Sequence, residues 1–285
     1  MSNAQTKPDA IFIEPMQPRI GAVIHNVDLA GNLSTQTIEL IYQALLDHKV
    51  IFFQDQELSE EQHLAIGKRF GELEIHPYSP ANLEQHPEII RLSNGPDNFR
   101  AVANHWHSDV TWREIPSLGS ILLARQVPDI GGDTLFANME AAYDDLDDDL
   151  KQKLDGLIAE HDAPGFQQRM LDRGASEDEI EAIKNQFPVV QHPVIRTHPD
   201  TGRKSIYVCH GFTQRILGME QAESDELLNY LFSRAAIPEY QVRFKWHKGS
   251  VAFWDNRSAQ HYASADYYPD VRIMDRVTII GDKPC

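Results

Sequence analysis

Apolar residues recur along this chain with two different periods. Between Ile20 and Leu29 the apolar positions Ile20, Val23, Ile24 and Val27 mark a short early strand. Ser34 stands where a helix N-cap is expected, ahead of Ile38, Ile41, Tyr42, Leu45 and Leu46 at helical spacing, and Val50 to Phe53 reads as a buried strand. Ser59 with Gln62 forms a capping box for a second helix through Leu64 and Phe70. From about Glu88 the pattern shortens. Ile89 to Leu92, Ile121 to Ala124 and Thr134 to Ala137 are brief apolar runs, with Gly131-Gly132-Asp133 as a turn, and they predict a β-rich core.

A helical insertion is expected over residues 139–186, where Met139 to Leu157 and Glu177 to Gln186 have helical character and Ser176 with Glu179 forms another capping box. The acidic run Asp144 to Asp149 lacks the glycine and terminal glutamate of a calcium loop, so it reads as a solvated helix start. Strands return at His192 to Thr197 and Lys204 to Cys209, joined by a hairpin turn at Pro199 to Gly202. Ser224 is expected to start a helix through Leu227, Leu228, Leu231 and Phe232. Gln241 to Trp246 is expected to pair with Val251 to Trp254 across Lys248-Gly249. The economical architecture is one domain over residues 11–285, following a flexible tail at residues 1–10. Helices pack outside a β-sandwich or barrel, and the insertion forms a lid.

Composition narrows the function. With 285 residues, of which 41% are hydrophobic and 24% charged, the chain can bury a large core, and disorder or collagen-like structure is excluded. Lys and Arg number 26 against 43 Asp and Glu, a formal charge of −17, which argues against nucleic acid as a partner while leaving room for a local basic pocket that takes one small anion. Cys209 and Cys285 cannot build a disulfide framework or a cysteine-rich metal site, and a reducing cytoplasm fits them. Met1 to Ala10 has no positively charged start followed by an apolar core, and apolar runs elsewhere fall short of a membrane span. A soluble, non-exported cytoplasmic protein is expected.

The segment Asn104 to Trp112 carries the most chemistry. In an extended chain, side chains two apart face the same way, so His107 and Asp109 offer an imidazole nitrogen and a carboxylate oxygen to one ion. His261, in Gln260-His261-Tyr262, is a candidate third ligand from a distant part of the chain. Two histidines and one carboxylate would occupy one face of an octahedral ion and leave three positions open for iron(II) to bind a chelating cosubstrate and dioxygen. With 13 histidines and 43 acids in the chain, however, a lone His-x-Asp also arises by chance. A cupin-like His105-x-His107 site competes for the same stretch, but no glutamate lies three or four residues beyond His107, and Glu114 comes too late. Arg272 and Arg276 follow, four apart, so on a strand both guanidinium groups would project from one face and could hold anions bidentately. Taken on spacing alone they could equally be surface arginines paired with the abundant acids.

The sequence resembles the taurine dioxygenase group of iron(II)- and 2-oxoglutarate-dependent oxygenases along nearly its whole length. The resemblance runs through Arg69-Phe70-Gly71-Glu72, Trp106 to Thr111, Gly131 to Leu135, His192 to Pro199 and Gly211-Phe212-Thr213, then Trp254 to Tyr262, Arg272 to Thr278 and Ile280 to Pro284. It implies a mainly β protein with helices, a double-stranded β-helix (jelly-roll, clavaminate-synthase-like) core with a helical insertion. It further implies that His107, Asp109 and His261 hold Fe(II), that Thr134 and Arg272 bind the far carboxylate of 2-oxoglutarate, and that Arg276, His76 and the backbone N–H of Val110 grip a sulfonate. Phe212 would line the pocket.

With O2, such an enzyme would hydroxylate the carbon beside the sulfonate of a taurine-like substrate. The products would be sulfite, an aldehyde, succinate and CO2. Departures from the pattern concern the substrate's amino group: the taurine enzymes' asparagine and tyrosine positions hold Ala103 and Ser79, with Asn104 and Tyr78 each shifted by one. An alkyl sulfate ester or an aryloxyalkanoate is the alternative substrate, and a non-catalytic anion-binding jelly-roll protein is a remoter reading. A homo-oligomer that takes a small anionic substrate, with neither nucleic acid nor membrane as partner, completes the expectation.

Overall fold

A computed structural model describes residues 10–76 and 83–285. Most of the expected tail, and Tyr78 and Ser79, lie outside the described residues. The chain opens with an antiparallel pair, β1 (Phe12–Pro15) and β2 (Ala22–His25). Ser34 caps α1 (Thr35–His48), its Oγ accepting the Thr37 N–H; of the residues at helical spacing Ile38, Ile41, Leu45 and Leu46 are buried with Ala44, while Tyr42 is half-buried. The helix carries the chain across to β3 (Val50–Phe53), fully buried and parallel to β2. The Ser59–Gln62 capping box opens α2 (Glu60–Gly67). Three longer connections then separate β4 (Ile89–Asn94), β5 (Ser117–Gln126) and β6 (Thr134–Asn138).

The region expected to be a helical insertion is helical at its ends and extended in its middle. Asn138 caps α3 (Met139–Asp144) and Asp147 caps α4 (Asp148–Leu154), so the acidic run is a helix start, with Asp144 and Asp145 paired to Arg203 and Arg19. β7 (Ile158–His161) interrupts the helices before α5 (Pro164–Leu171) and α6 (Glu177–Gln186). Its alternation is only four residues long and turns Ala159 and His161 inward, too weak a pattern to distinguish from helix. β8 (Val190–Pro193) and β9 (Ile195–Thr197) follow, and β9 forms the expected hairpin with β10 (Lys204–Ile206). After β11 (Thr213–Ile216) comes α7 (Gln221–Arg234), which starts before Ser224. Ser224 is buried inside the helix, where its Oγ accepts the Ile216 N–H at 2.8 Å and pins the helix to β11. The last strands are β12 (Gln241–Phe244), β13 (Val251–Asp255), β14 (Ala259–Ala263) and β15 (Arg272–Ile280).

Two facing sheets form a jelly roll. The major sheet has the order β1-β2-β3-β13-β5-β15-β4 and the minor sheet β12-β6-β14, while β11-β7-β8 and β9-β10 form smaller outlying sheets. The expected pairing of β12 with β13 does not occur: β12 lies against β6, and β13 lies between β3 and β5. The apolar alternation is the same in either arrangement. Val242 and Phe244 project into the inter-sheet core from one wall, and Ala252 and Trp254 project from the other. Phe52, stacked on Phe244 at 4.0 Å, spans the gap between them. Behind the major sheet a second core packs Ile51, Phe53, Ile121, Phe253, Val277 and Ile279 against the buried faces of α1 and α2. Among the described residues no helix is long and apolar enough to cross a membrane.

The β13–β14 turn is anchored by charge. Asp255, fully buried, accepts from His198 Nε2 at 2.9 Å, from Arg257 Nε at 2.9 Å and from Arg257 Nη2 at 2.7 Å, and Arg257 reaches on to Asp200 and Tyr42. Burial alone would raise the Asp255 carboxyl, but Arg257 and His198 outweigh it and hold the group well below the usual carboxylate range. The stability this supplies is present above the ordinary aspartate value and is lost as pH falls below about 4. Asp255→Asn leaves Arg257 without its buried counter-charge and should cost about 3 to 5 kcal/mol in urea unfolding at neutral pH, with a shallower loss of stability in acid than the parent shows. On the neighbouring strand, a Cβ at Gly119 would meet the Trp254 carbonyl oxygen. Gly119→Ala should therefore cost about 1 to 3 kcal/mol in the same assay.

Candidate active site

His107 and His261 meet through their backbones. The His107 N–H donates to the His261 carbonyl at 3.1 Å and the His261 N–H to the His107 carbonyl at 2.9 Å, a single antiparallel bridge that adds one residue to the edge of the minor sheet beside β14. The extended geometry expected for His107-Ser108-Asp109 ends there. Asp109 and Val110 belong to a turn, closed by the Arg113 N–H on the Val110 carbonyl at 3.0 Å, and Val110 has φ +49°. Asp109 thus reaches the two histidines by a turn in the chain and not by strand alternation. The ligating atoms of His107, Asp109 and His261 all lie within 4.8 Å of one another, and each residue is buried.

These groups are in the protonation states a cation requires. The His107 Nδ1–H donates to the His105 carbonyl at 2.8 Å, which leaves the Nε2 lone pair directed away from the backbone, 4.0 Å from Asp109 Oδ1. Burial pushes both imidazoles down, His261 to about 3, so they are neutral near pH 7. For Asp109 burial acts upward, but the Arg276 guanidinium, followed by His261 and His107, outweighs it and holds the carboxyl at about 2. Among the described residues the buried His261 Nδ1 has no hydrogen-bond partner, so none of them competes for that nitrogen. Two neutral imidazoles and one carboxylate suit a divalent first-row metal ion.

Arg272, Met274 and Arg276 share one face of β15, because the register shift beside Ile273 and Met274 leaves the pairing of β15 with β4 regular. Arg276 Nη1 reaches both Asp109 oxygens, at 3.2 and 3.1 Å, while among the described residues its buried Nε has no partner. Arg272 is buried with its Nε on the Gly132 carbonyl and its guanidinium over the Trp246 ring. Trp246 Nε1 donates to Thr134 Oγ1 at 2.9 Å. Thr134 and Arg272 are thereby brought to one corner by a tryptophan whose part in the site the sequence does not signal. Among the described residues no carboxylate hydrogen-bonds Arg272, so a buried cation faces that corner without an anionic partner.

Along the other side of the triad runs an apolar wall of Val110, Trp112 and Ala163 with Phe166, Phe187 and Phe212 packed on them. His76 belongs to this wall, its ring 5.7 Å from Phe166 and 6.3 Å from Trp112, and burial followed by Arg276 and Arg113 lowers it to about 4. A neutral His76 can still donate one N–H to an anion. Two charged neighbours of the site are not signalled by sequence: Glu74 pairs with Arg113 at 2.7 Å, where burial raises its carboxyl against the pull of Arg113 and Arg276, and Arg113 helps to lower His76. Asn104 is exposed, and Tyr78 lies outside the described residues. His105 supports the site from behind, its ring against those of His107 and His210.

Comparison with known proteins gives this arrangement a family. Residues 13–278 match the family described as "Taurine catabolism dioxygenase TauD, TfdA family". The chain is 37% identical to an alpha-ketoglutarate-dependent sulfate ester dioxygenase of Pseudomonas putida, covering 100% of this chain and 95% of that protein. It is 36% identical to an alkylsulfatase of Acinetobacter baylyi, covering 98% and 87%. A crystal structure of a taurine dioxygenase from Burkholderia xenovorans superposes with a TM-score of 0.81 at 36% identity, covering 96% of this chain and 90% of that one. A jelly roll that brings two histidines and an aspartate together beside one buried and one half-buried arginine, matched over almost its whole length, belongs to the TauD/TfdA family of 2-oxoglutarate-dependent dioxygenases.

Proposed function

We propose that the chain oxidises the carbon bearing the anionic group of an alkyl sulfate ester. In this reading His107, Asp109 and His261 hold iron(II), Arg272 and Thr134 receive the far carboxylate of 2-oxoglutarate, and Arg276 with His76 and the Val110 N–H receives the sulfate head. When bound, the iron and 2-oxoglutarate supply, with O2, an oxidant able to hydroxylate an unactivated carbon, yielding succinate and CO2. The residues of the chain supply aim and charge. Arg272, buried without an anionic partner, pairs with a carboxylate and loses the cost of its isolation. Arg276 beside Asp109 fixes an anionic head next to the metal ligands, which sets the adjacent carbon nearest the reacting centre. The aromatic wall takes the apolar tail and keeps water from it. A hydroxyl placed on the carbon that carries the ester oxygen gives an adduct that collapses to an aldehyde and hydrogen sulfate, so no further acid–base residue is needed.

The observation that carries this reading is the pair of arginines on one face of β15, one at Asp109 and one at the Thr134–Trp246 corner, with the aromatic wall opposite. The names of the P. putida and A. baylyi relatives support the sulfate ester. A sulfonate such as taurine is the second reading, supported by the structural neighbour's name and by the same anion grip. The apolar wall and the exposed Asn104 offer little to an amine. The presence of a complete ligand set beside an arginine that no carboxylate hydrogen-bonds among the described residues weighs against a purely anion-binding protein.

Iron-loaded enzyme given 2-oxoglutarate, oxygen and a panel of alkyl sulfates, alkyl sulfonates and aryloxyalkanoates should form succinate together with sulfate from the alkyl sulfates. Sulfite from taurine would establish the second reading, and a phenol from the aryloxy acids would overturn both. Arg276→Ala should raise the substrate KM by about 10- to 100-fold and increase 2-oxoglutarate consumption without product.

A further inference from the structure

The turn between β13 and β14 touches the metal-binding cluster a second time, through a side chain whose contacts sequence does not reveal. Asn256 is buried in that turn. Its Oδ1 accepts the Asp109 N–H at 2.6 Å, and its Nδ2 donates to the Asp109 carbonyl at 2.9 Å, so one carboxamide holds the Asp109 backbone on both sides. Nδ2 also reaches Ser117 Oγ at 3.1 Å and the Ser117 carbonyl at 3.3 Å, and the Asn256 N–H donates to the Leu118 carbonyl. The carboxamide is therefore itself fixed to β5.

The next residue shows what this clamp has to resist. Val110 has φ +49°, where a β-branched side chain crowds the backbone. That angle is a rotation about the bond between the Val110 nitrogen and Cα, and it is held only if the peptide planes on both sides are held. Asn256 fixes the preceding plane through the Asp109 carbonyl, and the Arg113 N–H fixes the following one through the Val110 carbonyl. Released from Asn256, the segment can relax toward negative φ and carry the Asp109 carboxylate out of line with the two histidines. The same turn leads directly into β14 and His261. One rigid element thereby locates two of the three ligands.

We propose that Asn256 is a positioning residue that aims the Asp109 carboxylate by holding the strained Asp109–Val110 backbone. This rests on the reading that Asp109 is a metal ligand.

The test is anaerobic titration of the metal-free enzyme with Co(II), read by its d–d absorption, alongside the melting temperature of each metal-free variant. Asn256→Ala should weaken Co(II) binding about 10- to 100-fold at a temperature where the variant is folded. Val110→Gly added to Asn256→Ala should recover about fivefold or more of the lost affinity, because glycine has no strain to release. Ser117→Ala, which loosens the carboxamide without touching Asp109, should weaken binding about two- to tenfold and serves if Asn256→Ala does not fold.

Co(II) affinity that is unchanged in the folded Asn256 or Ser117 variant, whatever its melting temperature, would overturn the proposal. So would a double variant no tighter than Asn256→Ala. Asp109→Ala is the control: if it binds Co(II) as the parent does, the ligand assignment fails, whereas its loss beside unchanged affinity in Asn256→Ala removes only the positioning role.

Discussion

Two main-chain hydrogen bonds between His107 and His261 are the constraint on which the rest of the site depends. They join a loop that precedes β5 to β14 at the edge of the minor sheet, and they set the distance between two imidazoles that no local sequence relationship could set. A bridge of one residue would fray alone. Here it is buttressed on each side: Ser108 Oγ donates to the Ala259 carbonyl, and Trp106 and Tyr262 place their rings 5.8 Å apart across it. The buried Asp255–Arg257–His198 cluster then fixes the turn from which β14 departs. The outer charges of that cluster reach Tyr42 on α1 and Asp200 in the β9–β10 turn, so elements remote from the triad contribute to its geometry.

A jelly roll suits this task because its interior is used twice. In the middle of the sandwich Phe52, Phe136, Trp254 and Met274 fill the space between the sheets and exclude water. Toward the His107 side the same inward-facing positions become polar: Thr134 begins β6, His261 lies on β14, and Arg272 and Arg276 flank Met274 on β15. Strand alternation that buries apolar side chains in one stretch thus delivers ligands and cations in the next. The ring of Phe136 stacks on His261 at 6.1 Å and that of Trp254 lies 4.9 Å from it, so the dry core supports the imidazole and lowers the polarity around it.

The features legible in the sequence are those decided locally. Ser34, Ser59 and Ser176 cap helices because the contact is made within three residues, and Val50 to Phe53 is buried because nothing else suits four such residues in a row. What depends on a partner is not legible: β7 gains its strand character from β8 and β11, and β12 takes β6 as neighbour because the chain crosses between sheets after Phe244. The triad lies between these cases. His-x-Asp and a later histidine are visible as types, and spacing offers a strand for the first two, whereas the structure reaches the same convergence through a bridge and a left-handed turn. Thr134 is pointed to by family resemblance alone, whereas Arg272 is also visible in its four-residue spacing from Arg276. Trp246, which joins them, reads only as the end of a strand, and the Glu74–Arg113 pair and Asn256 act across distances in sequence that no local pattern spans.

Charge accounts for the kind of ligand this pocket prefers. The protein as a whole carries −17, yet beside the triad Glu74 is paired with Arg113 and Asp109 with Arg276, which leaves Arg272 as the added cation, with the metal-facing histidines neutral. A divalent cation on the triad would leave that region strongly positive inside an acidic shell, and burial makes each uncompensated charge costly. Neutrality is reached most directly by a dicarboxylate at Arg272 and a singly charged head at Arg276. Among the described residues, a neutral substrate would leave Arg276 hydrogen-bonded only to Asp109, with its buried Nε unsatisfied. On the proposed reading, the anionic head follows from the electrostatics of the cofactor site itself, and the tail is left to be chosen by the aromatic wall.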